Sequence, residues 1–386
     1  MKLPEEKVKQ LIALMNSTTE VKIPPMRPII ECYEIAIDDE RVLDFLLRCG
    51  DKEYTLEELK TLYGEMYAQG RDNYDAEWER FWAGIYDMSF MIPGEEDHSK
   101  FLIASIFPGW IELSVSGPLN EKRRAIINRF MDFWQLLKKL NIAPIRMLSN
   151  MKGVKERDNG TPHMGTLISR GSREIALNQP LTSEQQVLSA GDAYSLLEKH
   201  KDEIAVMNCI CRTYKEMNGG SCDYDMPIEG CMNIGPLSRQ LVKNGISRAV
   251  SYEEACALIE EFERKGCIHT TFHYGGSTDK EAINICNCCN DCCLLYGGYQ
   301  QGYLSKVLVK SFFSPKMIDE TRCVGCNKCG QYCATGATYY DKAAKKLVFD
   351  YDMCVGCGQC VTQCAFDVRE MVRDERNVFA KTKKKA

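Results

Sequence analysis

The chain has 386 residues, 45% of them hydrophobic and 27% charged, with a formal net charge of −5. That length exceeds one small module, and the composition supplies cores for two or three globular domains. The balance of charge gives no general attraction to nucleic acid or an anionic membrane, and no apolar run is long enough to span a bilayer. The anomaly is cysteine, 21 residues of it.

Met1–Glu6 begins an amphipathic stretch without the apolar core of a secretion signal, and no twin arginine precedes an apolar run. A reduced, cytoplasmic setting is therefore expected, where clustered cysteines signify metal and not disulfides. Thiolate-rich sites oxidise readily, which points to anaerobic life. The first 150 residues hold only Cys32 and Cys49 and are expected to be metal-free.

A helix is expected over Glu40–Cys49, ending at Gly50. Thr55 with Glu58 makes a capping box for a second helix, which lines up Leu56, Leu59, Leu62 and Met66. A third amphipathic stretch carries Trp78, Phe81, Trp82 and Ile85, and the apolar runs Phe90–Ile92 and Phe101–Phe107 follow. Helices followed by a hairpin are the order of a winged-helix domain. From Glu40 to Trp110, however, 15 acidic residues stand against seven basic ones, a sign that opposes phosphate binding. Docking or structural support is the expected role, with no nucleic acid partner. Glu121–Leu140 reads as a long helix with Ile126, Ile127, Phe130, Met131, Trp134 and Leu137 at core spacing.

Residues Asn150–Pro180 are rich in Gly, Asn, Ser and charge and read as a linker or extended segment. A helix is expected over Ala193–Val206. Further on, Ser251 and Glu254 cap a helix bearing Ala255, Leu258, Ile259 and Phe262, Gly266 stops it, and Cys267–Phe272 is a strand candidate.

Near the C-terminal end, Cys323, Cys326, Cys329 and Cys333 are spaced C-x2-C-x2-C-x3-C, and the spacing returns at Cys354, Cys357, Cys360 and Cys364. Two-residue gaps let one curling loop offer three soft thiolates to a single cage, while the fourth arrives from elsewhere. Gly325 and Gly356 permit the tight loops whose N–H groups face cluster sulfur. From Met317 onward, over roughly 60 residues, the chain resembles the bacterial-type two-cluster ferredoxins. The resemblance implies a pseudo-twofold ferredoxin-like fold holding two [4Fe–4S] clusters. In such double ladders the fourth ligand is exchanged: Cys323, Cys326, Cys329 and Cys364 hold one cluster, and Cys354, Cys357, Cys360 and Cys333 the other. Ala334 and Ala365 stand where that family usually has proline. Between the halves, Thr338–Tyr340 and Leu347–Phe349 read as a hairpin about Asp341–Lys346, with Tyr339 and Tyr340 near a cluster or in strand packing. The Lys381–Lys385 tail reads as a solvated end.

Nine cysteines lie upstream: Cys209, Cys211, Cys222, Cys231, Cys286, Cys288, Cys289, Cys292 and Cys293. Core packing does not call for five cysteines in eight residues. If Cys286–Cys293 were helical, Cys289 would share a face with Cys292 or Cys293. One or two further iron–sulfur clusters are expected, with zinc and redox-active thiols as the alternatives. The C-x-C-R and I-C-N-C-C-x2-C-C patterns also resemble uncharacterised multi-cluster iron–sulfur proteins of strict anaerobes, a resemblance that brings no reaction with it. Arg212 reads either as a group that raises a cluster's potential or as a surface ion pair. His269 and His273 read as structural, and Cys32, Cys49, Cys256 and Cys267 as small buried hydrophobes.

Rossmann glycines, a Walker lysine and a haem-attachment motif are all missing from the sequence, so electrons are expected to pass between this chain and protein partners. The expected protein is α+β and multidomain. A winged-helix-like, mostly helical docking domain occupies 1–150, a linker 151–200, a mixed α/β cysteine-rich metal domain 201–312, and a ferredoxin-like dicluster domain 313–380. The expected function is single-electron transfer with redox partners such as a flavoprotein or a larger oxidoreductase. The alternatives are a catalytic oxidoreductase with a substrate-binding metal centre in 201–312, and a redox-sensing regulator.

Overall fold

A computed structural model describes residues 2–19, 22–68, 73–95, 97–139, 165–168, 193–276, 280–294, 296 and 308–376. The N-terminal region is a helical body: α1 Glu5–Ser17, α2 Arg27–Ala36, α3 Glu40–Cys49, α4 Leu56–Tyr67 and α5 Tyr74–Asp87. Local chemistry fixes the ends of these helices. The Asp39 carboxylate accepts the Arg41 N–H at 3.0 Å to start α3, and Gly50, at φ 64°, ends it. The capping box of α4 is complete: Thr55 Oγ1 accepts the Glu58 N–H at 3.2 Å, and the Glu58 carboxylate accepts the Thr55 N–H at 2.7 Å. Trp78, Phe81, Trp82 and Ile85 of α5 are buried, as the 3.6-residue period requires.

The short strands β1 Met91–Pro93 and β2 Phe101–Ile103 pair antiparallel, and Tyr54 bridges to Phe101 ahead of α4. A short α6, Ile111–Val115, leads to α7, Glu121–Lys139, which buries Ile126, Ile127, Phe130, Met131 and Leu137. The sequence offered only an amphipathic start for the first forty residues, so α2 is an addition. It lies along α7, with the Cys32 thiol 3.7 Å from the Ile126 carbonyl.

The middle region is built on a mixed sheet. Its elements are β3 Gly165–Ile168, α8 Ala193–Lys199, β4 Ile204–Asn208, α9 Ile210–Met217, β5 Glu229–Ile234, α10 Pro236–Lys243, β6 Ser247–Ala249, α11 Tyr252–Arg264, β7 Ile268–His273, β8 Ala282–Cys288 and β9 Leu308–Val309. Among the described residues the strand order is β6-β4-β5-β8-β7-β3-β9, antiparallel except for the parallel pair β3–β9. Two expectations change here, and the conformation of the cysteine-rich run is decided. The helix expected over 193–206 stops at Lys199, because Ile204–Met207 is an apolar run that needs burial on two faces and becomes a strand. The cysteine-rich run is not helical: the central strand β8 carries it as far as Cys288, held between β5 and β7. Within the expected linker, Gly165–Ile168 is a sheet strand; the rest of 150–180, like the lysine tail, lies outside the described residues.

The two faces of the sheet bury different partners. Ile204, Val206, Met232, Ile234 and Ile285 pack under α8 and α11. Met207, Cys231, Ile283 and Cys288 face the helical body and share its core. Hydrogen bonds tie the two regions together: buried Gln240 donates to the Met91 carbonyl at 3.0 Å and Asn244 to the Tyr86 carbonyl at 3.0 Å.

The C-terminal module pairs β10 Phe313–Met317 with β13 Arg369–Arg373, and β11 Thr338–Asp341 with β12 Lys346–Phe349, the hairpin read from the sequence. Short helices α12 Lys328–Gln331 and α13 Gln359–Thr362 occupy matching places in the two halves. The module sits on the end of α11. Gln359, 1% exposed, donates to the Cys267 carbonyl at 2.7 Å, and Thr362 donates to the Glu263 carboxylate at 2.9 Å.

Candidate metal centres

The two halves of the C-terminal module repeat one backbone device. Gly325 and Gly356 take φ 71° and 77°, and Asn327 and Gly358 follow at 60° and 85°. At Gly356 a β-carbon would lie 2.1 Å from the Phe313 carbonyl oxygen, so no side chain fits there. The curled loops bring Cys323, Cys326, Cys329 and Cys364 around one cavity, together with Cys360 and Arg369. In the other half Cys333 lies among Cys354, Cys357 and Cys360. Each half thus has its last cysteine beside cysteines of the other half.

The halves differ in setting. Cys326 is exposed, and Val324 and Phe366, both exposed, line the same cavity; Ile318 is exposed as well. Cys354 is buried, and Ala334 and Val355 join the main core. Tyr340 lines the first cavity, whereas Tyr339 faces solvent. Each half also has an arginine that the spacing rules did not indicate. Arg369, 5% exposed, holds the Thr338 hydroxyl at 2.8 Å and reaches Cys360. Arg376 donates to the Ser311 and Cys354 carbonyls at 2.7 and 3.0 Å and reaches the Cys354 thiol. Fixed cations beside thiols are what a thiolate-bound, electron-accepting group requires.

The nine upstream cysteines divide into two groups. Six form a closed ring of neighbours: Cys209 beside Cys211, Cys211 beside Cys293, Cys293 beside Cys288, Cys288 beside Cys286, Cys286 beside Cys231, and Cys231 beside Cys209. The sheet builds this ring. Cys231 and Cys286 are direct partners across β5–β8, their sulfurs 3.9 Å apart. The two-residue strand period puts Cys288 on the same face as Cys286. Cys209 follows β4 and caps α9, Cys211 lies in the first turn of α9, and Cys293 follows the turn after β8.

Charge makes six thiols in contact demanding. Hydrogen bonds from Cys211 and Cys231 hold the Cys209 thiol low, against burial, with Arg212 assisting. Neighbouring thiols together with burial push Cys211, Cys231, Cys286 and Cys288 up. Burial and Cys288 push Cys293 up as well, against a hydrogen bond with Cys211. Six such groups ionise together only around positive charge, so the donor set fits a metal–sulfur centre.

The second group is Cys222, Cys289 and Cys292 with Asp291, a residue the cysteine arithmetic passed over. Their ligand atoms lie within 4.8 Å of one another. Lys215 donates to the Asp291 carboxylate at 2.8 Å and the Asp223 N–H at 2.7 Å, and these bonds hold it below the usual carboxylate range despite burial. Between the two groups lies Arg212, 3% exposed and not a surface residue. It donates to the Pro227 carbonyl at 3.0 Å and to the Asn287 carbonyl, and it neighbours Cys209, Cys267 and Cys289. A β-carbon on Gly230 would fall 2.0 Å from Arg212 Nη1, so this glycine makes room for the guanidinium.

His269 and His273 are held by protein partners: His269 Nδ1 lies 2.7 Å from Asn287 Oδ1, and His273 Nδ1 lies 2.8 Å from the Lys280 carbonyl. Cys32, Cys49 and Cys267 are buried and Cys256 is half-buried.

The ring opens onto a cavity between the sheet and the helical body, with walls that include Phe107, Phe130, Trp134 and Phe272. Glu112 also lines it, accepts the Gly109 N–H at 2.9 Å, and is pushed up to about 8 by burial. Next to the ring, buried Tyr296 holds Thr270 through hydroxyls 2.9 Å apart, and it neighbours Cys288, Cys293 and, in the C-terminal module, Cys357.

Residues 322–368 match the 4Fe-4S dicluster domain family. No curated protein and no solved structure matches the chain. The match and the cysteines identify an iron–sulfur protein with a ferredoxin-type module near its C-terminal end.

Proposed function

We propose that this chain carries single electrons between redox partners through two [4Fe–4S] clusters in the C-terminal module and one iron–sulfur centre at the six-thiol ring. Cys323, Cys326, Cys329 and Cys364 hold the outer cluster, and Cys333, Cys354, Cys357 and Cys360 the inner one. Bound there, the clusters supply reversible one-electron acceptance. The observation that carries this reading is a difference of burial along the module: Cys326 is at the surface and Cys354 is buried, and Tyr296, buried beside the ring cysteines Cys288 and Cys293, also senses Cys357. The exposed apolar side chains Val324 and Phe366 beside Cys326 are suited to a redox protein such as a flavoprotein, docked close to the outer cluster. Arg369, Arg376 and Arg212 stabilise the more negative, reduced state at each centre.

In this reading residues 1–139 form a winged-helix-like support with no nucleic acid partner. The acidic surface and the packing of Met91 and Tyr86 against α10 both favour that role. Among the described residues no helix is long and apolar enough to cross a membrane. All 21 cysteines are free, which suits the reducing cytoplasm.

A second reading, a catalytic reductase, is favoured by the cavity over the ring. Its walls are largely apolar, and Glu112 offers a proton to a small molecule reduced there. Turnover with an artificial reductant separates the two readings.

The test is anaerobic purification with iron and sulfide analysis and EPR during stepwise reduction. More than about eight irons per chain, with the excess lost when Cys286 and Cys288 become serine, supports the relay. A count near eight that ignores those substitutions overturns the upstream centre.

A further inference from the structure

We propose that Cys222, Cys289, Cys292 and Asp291 form a separate, mononuclear zinc site that takes no part in electron transfer. The first support is size. A tetrahedral zinc with bonds of about 2.3 Å to sulfur sets its thiolates about 3.8 Å apart. The four ligand atoms here already lie within 4.8 Å of one another. Four donors at that spacing, one of them a carboxylate oxygen, match the shell of a single ion.

The second support is orientation. Lys215 and the Asp223 N–H both donate to Asp291 Oδ2, at 2.8 and 2.7 Å, and Cys292 Sγ lies 3.2 Å from that oxygen, while Oδ1 lies 3.6 Å from Cys222 Sγ. Outer partners thus fix a carboxylate whose two oxygens both face thiols, as they do for a metal-bound carboxylate. The third support is charge. Three thiolates and one carboxylate around a divalent ion leave two negative charges. Lys215 beside Asp291 and Arg212 beside Cys289 offset them.

With four protein ligands the site is closed, as structural zinc sites are. It ties the loop between α9 and β5, which bears Cys222, to the turn after β8. That turn also carries the ring's Cys293, and β5, which follows the loop, carries Cys231, so the zinc holds the ring's scaffold. The inference is independent of what occupies the ring.

The experiment is metal analysis and zinc-edge X-ray absorption on the full chain purified without oxygen. The expected result is one zinc per chain, coordinated by three sulfurs and one oxygen, alongside the iron. Asp291→Cys should keep the zinc and convert its shell to four sulfurs. Cys222→Ser should lose zinc at chelator concentrations at least tenfold lower while leaving the dicluster EPR signals intact. Zinc-free wild-type protein, a zinc shell with four sulfurs in the wild type, or loss of about four irons in Cys222→Ser would each overturn the proposal.

Discussion

Replacing Gln359 with alanine should loosen the C-terminal module from the rest of the chain. Gln359 lies on α13 between two cluster cysteines, yet its side chain points away from the module. Its amide donates to the Cys267 carbonyl at 2.7 Å and, more weakly, to the Glu263 carbonyl at 3.3 Å. The Glu263 carbonyl keeps a second donor in Gln363 at 3.4 Å, so Cys267 bears most of the loss. Stripping a donor from one buried carbonyl costs about 2 kcal/mol, a roughly thirtyfold shift in the docked equilibrium. The bond from Thr362 to Glu263 remains, so the module should loosen without detaching. All four tryptophans, Trp78, Trp82, Trp110 and Trp134, belong to the helical body, so their fluorescence reports that part alone. Visible circular dichroism reports the clusters. In anaerobic guanidinium titrations the variant's visible transition should move to lower denaturant and separate from the fluorescence transition. If both transitions stay where they are in the parent, the amide bonds do not hold the module and the docking argument fails.

Further tests concern the cavity, the buried arginine and the relay. The carboxyl of Glu112 rises from 4.5 to about 8 on folding. Across that window the folded chain holds a proton that the unfolded chain has lost, so stability falls as pH rises, by up to about 1.4 kcal/mol per unit. Glu112→Gln should flatten this slope in urea melts between pH 5 and 8; an unchanged slope would assign it to other groups. Gly230→Ala drives a β-carbon into Arg212 and should release iron or zinc from the middle region while sparing the dicluster signals, as metal analysis and EPR will show. Tyr296→Phe keeps the packing beside Cys288 and Cys293 and removes only the hydroxyl bonded to Thr270. Stability should drop by about 1 kcal/mol, with reduction of the ring by the dicluster unaffected in stopped-flow traces. A large fall in that rate would give the hydroxyl itself a role.

Much of the chemistry could be read from the residues in order. The double cysteine ladder gave the dicluster domain because its ligands are local, three to a loop, and its glycines repeat in step. Capping at Thr55 and Ser251, and the apolar stripes of α5 and α7, were legible for the same reason: they are short-range rules. The nine upstream cysteines announced metal but not its arrangement. Their grouping is made by contacts across strands, with Cys231 opposite Cys286 and Cys222 brought to Cys289 over a long loop. A one-dimensional reading saw five cysteines in eight residues and could only ask which of them a helix would bring to one face, while the tertiary structure placed them on a central strand and the turn after it. Asp291 lay in plain view between Cys289 and Cys292. Glu112, Tyr296, Arg369 and Arg376 carried no local mark, because burial and proximity to thiols arise only when distant segments pack. Ligand type is thus a property of the sequence, whereas ligand partnership, charge compensation and the route between centres belong to the fold.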